Sequence, residues 1–74
     1  MIMFEDEFGA TVYIFFNEIK FIKENKGGPF EQVHTNAKSV IGTVHGDTFY
    51  SRDTLKDILE RVQTLVELSN KGGK

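Results

Sequence analysis

The chain has no cysteine, so a disulfide, a thiolate zinc site and thiol catalysis are all closed to it. That absence favours a reducing compartment. An excess of positive charge is missing too: 9 Lys and Arg against 11 Asp and Glu leave a formal charge of -2, with an isoelectric point near 5.6. A protein that holds nucleic acid chiefly by neutralising phosphates needs the opposite balance, with cations clustered. No apolar run approaches the roughly 18 residues that span a bilayer. The opening residues are acidic, where a secretory leader would be basic. The expected location is therefore the cytosol. Length sets a further bound, since 74 residues hold one domain near the lower limit for a core without staples. That domain is expected over 1–70, with a flexible tail at 71–74.

What is present is organised around the last third. Leu55, Ile58, Leu59, Val62, Leu65 and Val66 recur three and four apart, which sets them on one face of a helix. Ser51 or Asp53 is placed to cap its first turn, and Asp53 suits the positive end of the dipole. Lys56 with Glu60, and Asp57 with Arg61, are opposite charges four apart, worth only a few tenths of a kcal/mol each. Burying the apolar face contributes more, about 1.5 to 3 kcal/mol per side chain before entropy is subtracted. Asn70, Lys71, Gly72 and Gly73 end the pattern.

Upstream lies material for the sheet that such a face must cover. Met1 to Phe4 reads as a first strand that ends in Glu5, Asp6 and Glu7, and Gly9 supplies positive φ for the turn that follows. Every residue from Thr11 to Phe16 is β-branched or aromatic, the strongest strand signal in the chain. Its two faces, Val12-Ile14-Phe16 and Thr11-Tyr13-Phe15, are both apolar, which suits the middle of a covered sheet. One helix closes one face only. Either Tyr13 and Phe15 pack beneath the following loop, or they form an exposed patch of the kind that marks an interaction site. Ile19 to Lys23 reads as a third strand and Ser39 to Val44 as another, with Gly42 at a bulge or a close backbone approach. Gly27, Gly28 and Pro29 mark a turn between them, and Phe30 to Val33 is either an edge strand or loop. His45 and Gly46 suggest a two-residue hairpin into Thr48, Phe49 and Tyr50.

Chemistry-bearing residues are sparse. His45, Asp47 and Ser51 are close in sequence, but catalysis needs convergence in a pocket, and turn and cap roles account for all three. His34 and His45 lack the spacing of a metal site, and Gly27-Gly28 lacks the setting of a phosphate loop. No catalytic, metal or cofactor site is expected. Lys20, Lys23 and Lys26, interleaved with Phe21, provide an alternative reading as a nucleic-acid-binding surface, set against their ordinary role of guarding a strand edge.

The opening Met1-Ile2, the Gly turn, Val12-Tyr13-Ile14, Asn17, Ile19, Ile22, Val40-Ile41, the Gly46 hairpin, Phe49-Tyr50 and the terminal helix together resemble the small FlbD-type flagellar proteins. The long segment from Lys26 to Lys38 departs from that pattern, as does His45 where Asn is usual before the turn glycine. The resemblance implies a strand-rich regulatory or accessory protein without enzymatic activity, and it assigns no functional residues. The expectation is thus an α+β fold: an antiparallel sheet of four or five strands with one C-terminal helix on a face. Tyr13, Phe15 and Phe21 are the expected contact surface of a homo-oligomer.

Overall fold

A computed structural model describes residues 1–29 and 33–72. The chain is α+β, and its strands are all antiparallel. Strand β1 (Ile2–Glu5) pairs with β2 (Thr11–Ile14), and a 3-10 turn at Phe16–Glu18 leads into β3 (Ile19–Glu24). Strand β4 (Ser39–Thr43) lies between β3 and β5 (Thr48–Ser51), and helix α1 spans Leu55–Gly72. Among the described residues no helix is long and apolar enough to cross a membrane. The expected edge strand at Phe30 to Val33 falls largely on residues 30–32, outside the described residues, as do Gly73 and Lys74 of the expected tail.

The single sheet expected from the sequence is instead two, β1-β2 and β3-β4-β5. The reason lies at Ser51. Just past β1, Asp6 forms an isolated antiparallel bridge with Ser51 at the end of β5, and then β5 stops because the chain turns towards the helix. Beyond that bridge the edge of β1 is bonded by groups that are not a strand. Arg52 N–H and the Ser51 hydroxyl donate to the Glu5 carbonyl at 3.0 and 2.7 Å. The Glu5 N–H donates to the Asp53 carboxylate at 3.1 Å, and Arg61 donates to the Met3 carbonyl at 3.0 Å.

Ser51 and Asp53 are therefore occupied at this junction, and Thr54 caps the helix instead, its hydroxyl accepting the Asp57 N–H at 3.1 Å. Arg61 likewise pairs with Asp53 at 2.8 Å rather than with Asp57.

Both hairpins turn in the same way. Gly9 N–H donates to the Asp6 carbonyl and Asp6 N–H to Ala10; Gly46 N–H donates to Thr43 and Thr43 N–H to Asp47. Each loop is a turn followed by a glycine of positive φ, +87° at Gly9 and +90° at Gly46, the combination that matches strand twist in a three-residue connection. The loop after β4 is thus Val44, His45 and Gly46, one residue longer than the two-residue hairpin expected.

The core lies between the sheets and the helix. Ile2, Phe4 and Ile14 from the first sheet, Ile41 from the second and Ile58 from α1 are buried, with Val12, Ile22, Phe49, Val62 and Leu65 packed around them. Phe4 meets Phe49 edge-on, ring centroids 6.0 Å apart, and so joins the two sheets across the core. Leu59 and Val66, expected on the buried stripe, are exposed. The sheets beneath the helix are narrow, and a stripe that wide overhangs them.

Candidate interaction surface

On the β1-β2 ribbon the pleat separates two faces. Ile2, Phe4, Val12 and Ile14 turn to the core, and Met3 and Tyr13, opposite each other in the register, turn away from it. Tyr13 is 63% exposed and Met3 48%. Phe15 follows in extended backbone, φ −70° and ψ 131°, before the 3-10 turn. Alternation sets it on the Tyr13 side, where it is 55% exposed.

The sequence placed β2 in the middle of a sheet. It is an edge strand, with β1 its sole strand neighbour among the described residues. Tyr13 and Phe15 are accordingly outside the core.

Phe21 belongs to the other sheet. It sits opposite Gly42 on β4, and its ring lies against the glycine so closely that a Cβ there would fall 2.1 Å from the ring edge. The glycine anticipated as a bulge or a close approach is the latter. The irregularity is instead in β3, between Ile19 and Phe21. Half of Phe21 is spent covering the backbone of β4, and 42% of it remains exposed. Lys20 lies in that irregular step, Lys23 lies opposite Val40, and Lys26 follows the strand, all exposed and interspersed with Glu18 and Glu24.

The outer face of the second sheet is partly closed by residues around Asn25 and His34. Asn25 pins them, donating to the His34 and Ala37 carbonyls at 3.1 and 3.0 Å. His34 stacks on Tyr50 with centroids 3.5 Å apart and rings 8° from parallel, and its Nδ1 lies 2.6 Å from a Glu7 carboxylate oxygen. A histidine therefore does meet a carboxylate. Among the described residues it has no hydroxyl partner, and its contacts fasten the segment to β5 and to the first hairpin.

The residues that suggested a Ser, His and Asp constellation are dispersed. Ser51 is buried, donating to Glu5 and accepting from the Asp53 N–H at 3.0 Å. His45 is exposed on the hairpin loop, 3.7 Å from Glu18. Among the described residues no three His, Asp or Glu side chains gather as a metal site would require.

The sequence did not reveal the polar junction beside the ribbon. Ser39 donates to the Asp53 carbonyl at 2.8 Å, and Asp53 is shared by Glu5 and Arg61. Partial burial pushes the Asp53 carboxyl up, but the Arg61 hydrogen bond, the Glu5 N–H and the Arg61 charge outweigh it and hold it below the usual carboxylate value. A groove of about 560 Å³ runs between β1 and α1, bounded by Met1, Met3, Glu60, Thr64 and Leu65. Arg61 also lines it, already bonded to Met3 and Asp53. Comparison with protein-family models, curated proteins and solved structures finds no match.

Proposed function

We propose that this chain is a non-enzymatic protein-contact module of regulatory or accessory type that self-associates through the outer face of the β1-β2 ribbon. The observation that carries the reading is the pairing of Met3 with Tyr13 across the ribbon, both turned to solvent, with Phe15 on the same side. Aromatic side chains of this size dominate interface energetics because each removes a large apolar area from water, and Tyr, Phe and Met are enriched where proteins meet. Phe21, half engaged on Gly42, is the lesser contributor. The resemblance to FlbD-type proteins supports an accessory role without catalysis.

Sedimentation equilibrium tests the reading. The wild-type chain is expected to run as a dimer or larger, and Phe15→Asp to run as a monomer with an unchanged circular dichroism spectrum, since that side chain points away from the core. A wild-type chain that stays monomeric at its highest soluble concentration overturns self-association.

A further inference from the structure

Among the described residues, the outer edge of β2 has main-chain groups without partners. In an antiparallel ladder, alternate residues turn their N–H and C=O towards the neighbouring strand and away from it. On β1 the residues turned away from β2 are Met3 and Glu5, because the Met3 carbonyl accepts from Arg61 and the Glu5 N–H reaches Asp53. Their register partners, Tyr13 and Thr11, are therefore turned outward on β2. Among the described residues nothing bonds those outward groups.

This edge is also free of charge. From Gly9 to Asn17 no side chain is ionisable as an acid or a base of the Asp, Glu, Lys, Arg or His type, whereas β3, the other outer strand, carries Lys20 and Lys23. Lysines on an edge are a common means of keeping strands from pairing with other chains, and β2 has none.

We infer that β2 pairs with β2 of a second copy about a twofold axis at Val12, which joins two ribbons into one antiparallel sheet. The inference rests on the self-association proposed above and adds to its face contact a pairing of the β2 edges. With Val12 opposite its own copy, Thr11 stands opposite Tyr13 of the partner, and the two exchange both main-chain hydrogen bonds. Every outward group of both residues is then satisfied. A slide that set Thr11 opposite Phe15 competes with a bond already made, because the Phe15 carbonyl accepts the Glu18 N–H at 2.9 Å. On the exposed face the twofold places Tyr13 beside Thr11 of the other copy, an aromatic and β-branched pair that stabilises sheets. A second copy is the occupant because the edge is complementary to itself under that axis, and because its neutral stretch brings no like charges together.

The test uses the full isotope-labelled chain, with its mass and its amide hydrogen exchange followed as concentration rises. A dimer is expected, with the Thr11 and Tyr13 amides slowed about tenfold or more as it forms. The Val12 and Ile14 amides, already bonded to β1, should change less.

Thr11→Pro removes an outward N–H and leaves the inward ladder in place. It is expected to weaken the dimer about tenfold or more, an effect on the scale of a lost hydrogen bond or two. Should that variant fail to fold, the wild-type amide rates decide alone. A dimer lost on Phe15→Asp whose Thr11 and Tyr13 amides exchange at the monomer rate overturns the edge pairing and leaves the face contact standing. A chain that is monomeric at every concentration overturns both.

Discussion

Strand β4, Ser39-Val40-Ile41-Gly42-Thr43, is buried at every residue, while β2, Thr11-Val12-Tyr13-Ile14, with an aromatic ring and no glycine, buries only Ile14. The difference comes from neighbours. Strand β4 has β3 and β5 on its two edges. Its inner face, at Ile41, packs in the core with Ile58 of the helix. Its outer face carries the Phe21 ring over Gly42, and beside it Tyr50, opposite Val40, lies under His34. Strand β2 has β1 and the core and, among the described residues, nothing comparable on its far edge. Burial in this protein is conferred by what the topology brings alongside a strand, and a lean strand can be the central one when an aromatic ring from its neighbour fills the space above its glycine.

The largest effect that would break this comparison is expected at Gly42. A Cβ there meets the Phe21 ring at 2.1 Å, and overpacking of that kind costs about 1–3 kcal/mol or more. Urea unfolding of Gly42→Val should show at least that loss, and Phe21→Ala in the same chain should recover part of it, because the two changes share one contact and are not additive. Thr11→Val on β2 should stay within about 0.5 kcal/mol. Equal losses at the two strands would mean that β4 is no more confined than β2.

The same contrast explains what was legible beforehand. Local signals carried well: the amphipathic spacing from Leu55 to Leu65 marks a helix, Gly9 and Gly46 mark turns, and alternating apolar residues mark strands, so the α+β class with antiparallel strands and a C-terminal helix is readable. Which strand lies between which is decided by contacts such as Ser51 to Glu5 and Arg61 to Met3, which are 46 and 58 residues apart. No local pattern encodes them. For that reason Tyr13 and Phe15 could be recognised as too apolar on both sides, whereas Met3, their companion on the outer face, emerged only with the β1-β2 register. Ser51 and Asp53 look like helix caps by spacing and serve as a junction between sheets, because β5 ends beside β1.

A smaller effect separates the two hairpins, which are alike in main-chain bonding and differ in surroundings. Gly9→Ala and Gly46→Ala each force a side chain into positive φ, at about 1 kcal/mol or somewhat more. At Gly46 the new Cβ has open space, but at Gly9 it lies 3.1 Å from Arg52 Nη1. That guanidinium is flexible but not idle, since Arg52 Nε donates to the Glu7 carbonyl at 3.0 Å. Thermal unfolding should therefore show Gly9→Ala as the more costly of the two, by a few tenths of a kcal/mol over the shared backbone strain. A reversed order would mean that the Arg52 contact contributes nothing to the first hairpin.

The smallest expected effect lies where the two sheets meet, and pH reads it. Asp53 has its carboxyl held below the usual value when folded, because the bonds from Arg61 and Glu5 together outweigh its desolvation. A lowered folded value means that the unfolded chain takes up the proton first as pH falls. The contribution is therefore complete above the unfolded carboxylate value of about 3.9 and is lost progressively as pH drops through the lowered folded one. Asp53→Asn keeps an acceptor for the Glu5 N–H but removes the charge that faces Arg61. It should cost less than about 1 kcal/mol at neutral pH, the scale of a partly solvated ion pair, with the gap from wild type closing below about pH 4. A gap that stays constant down to strong acid would assign the role of Asp53 to its hydrogen-bond geometry alone, and the junction would then hold the ribbon to the second sheet without help from charge.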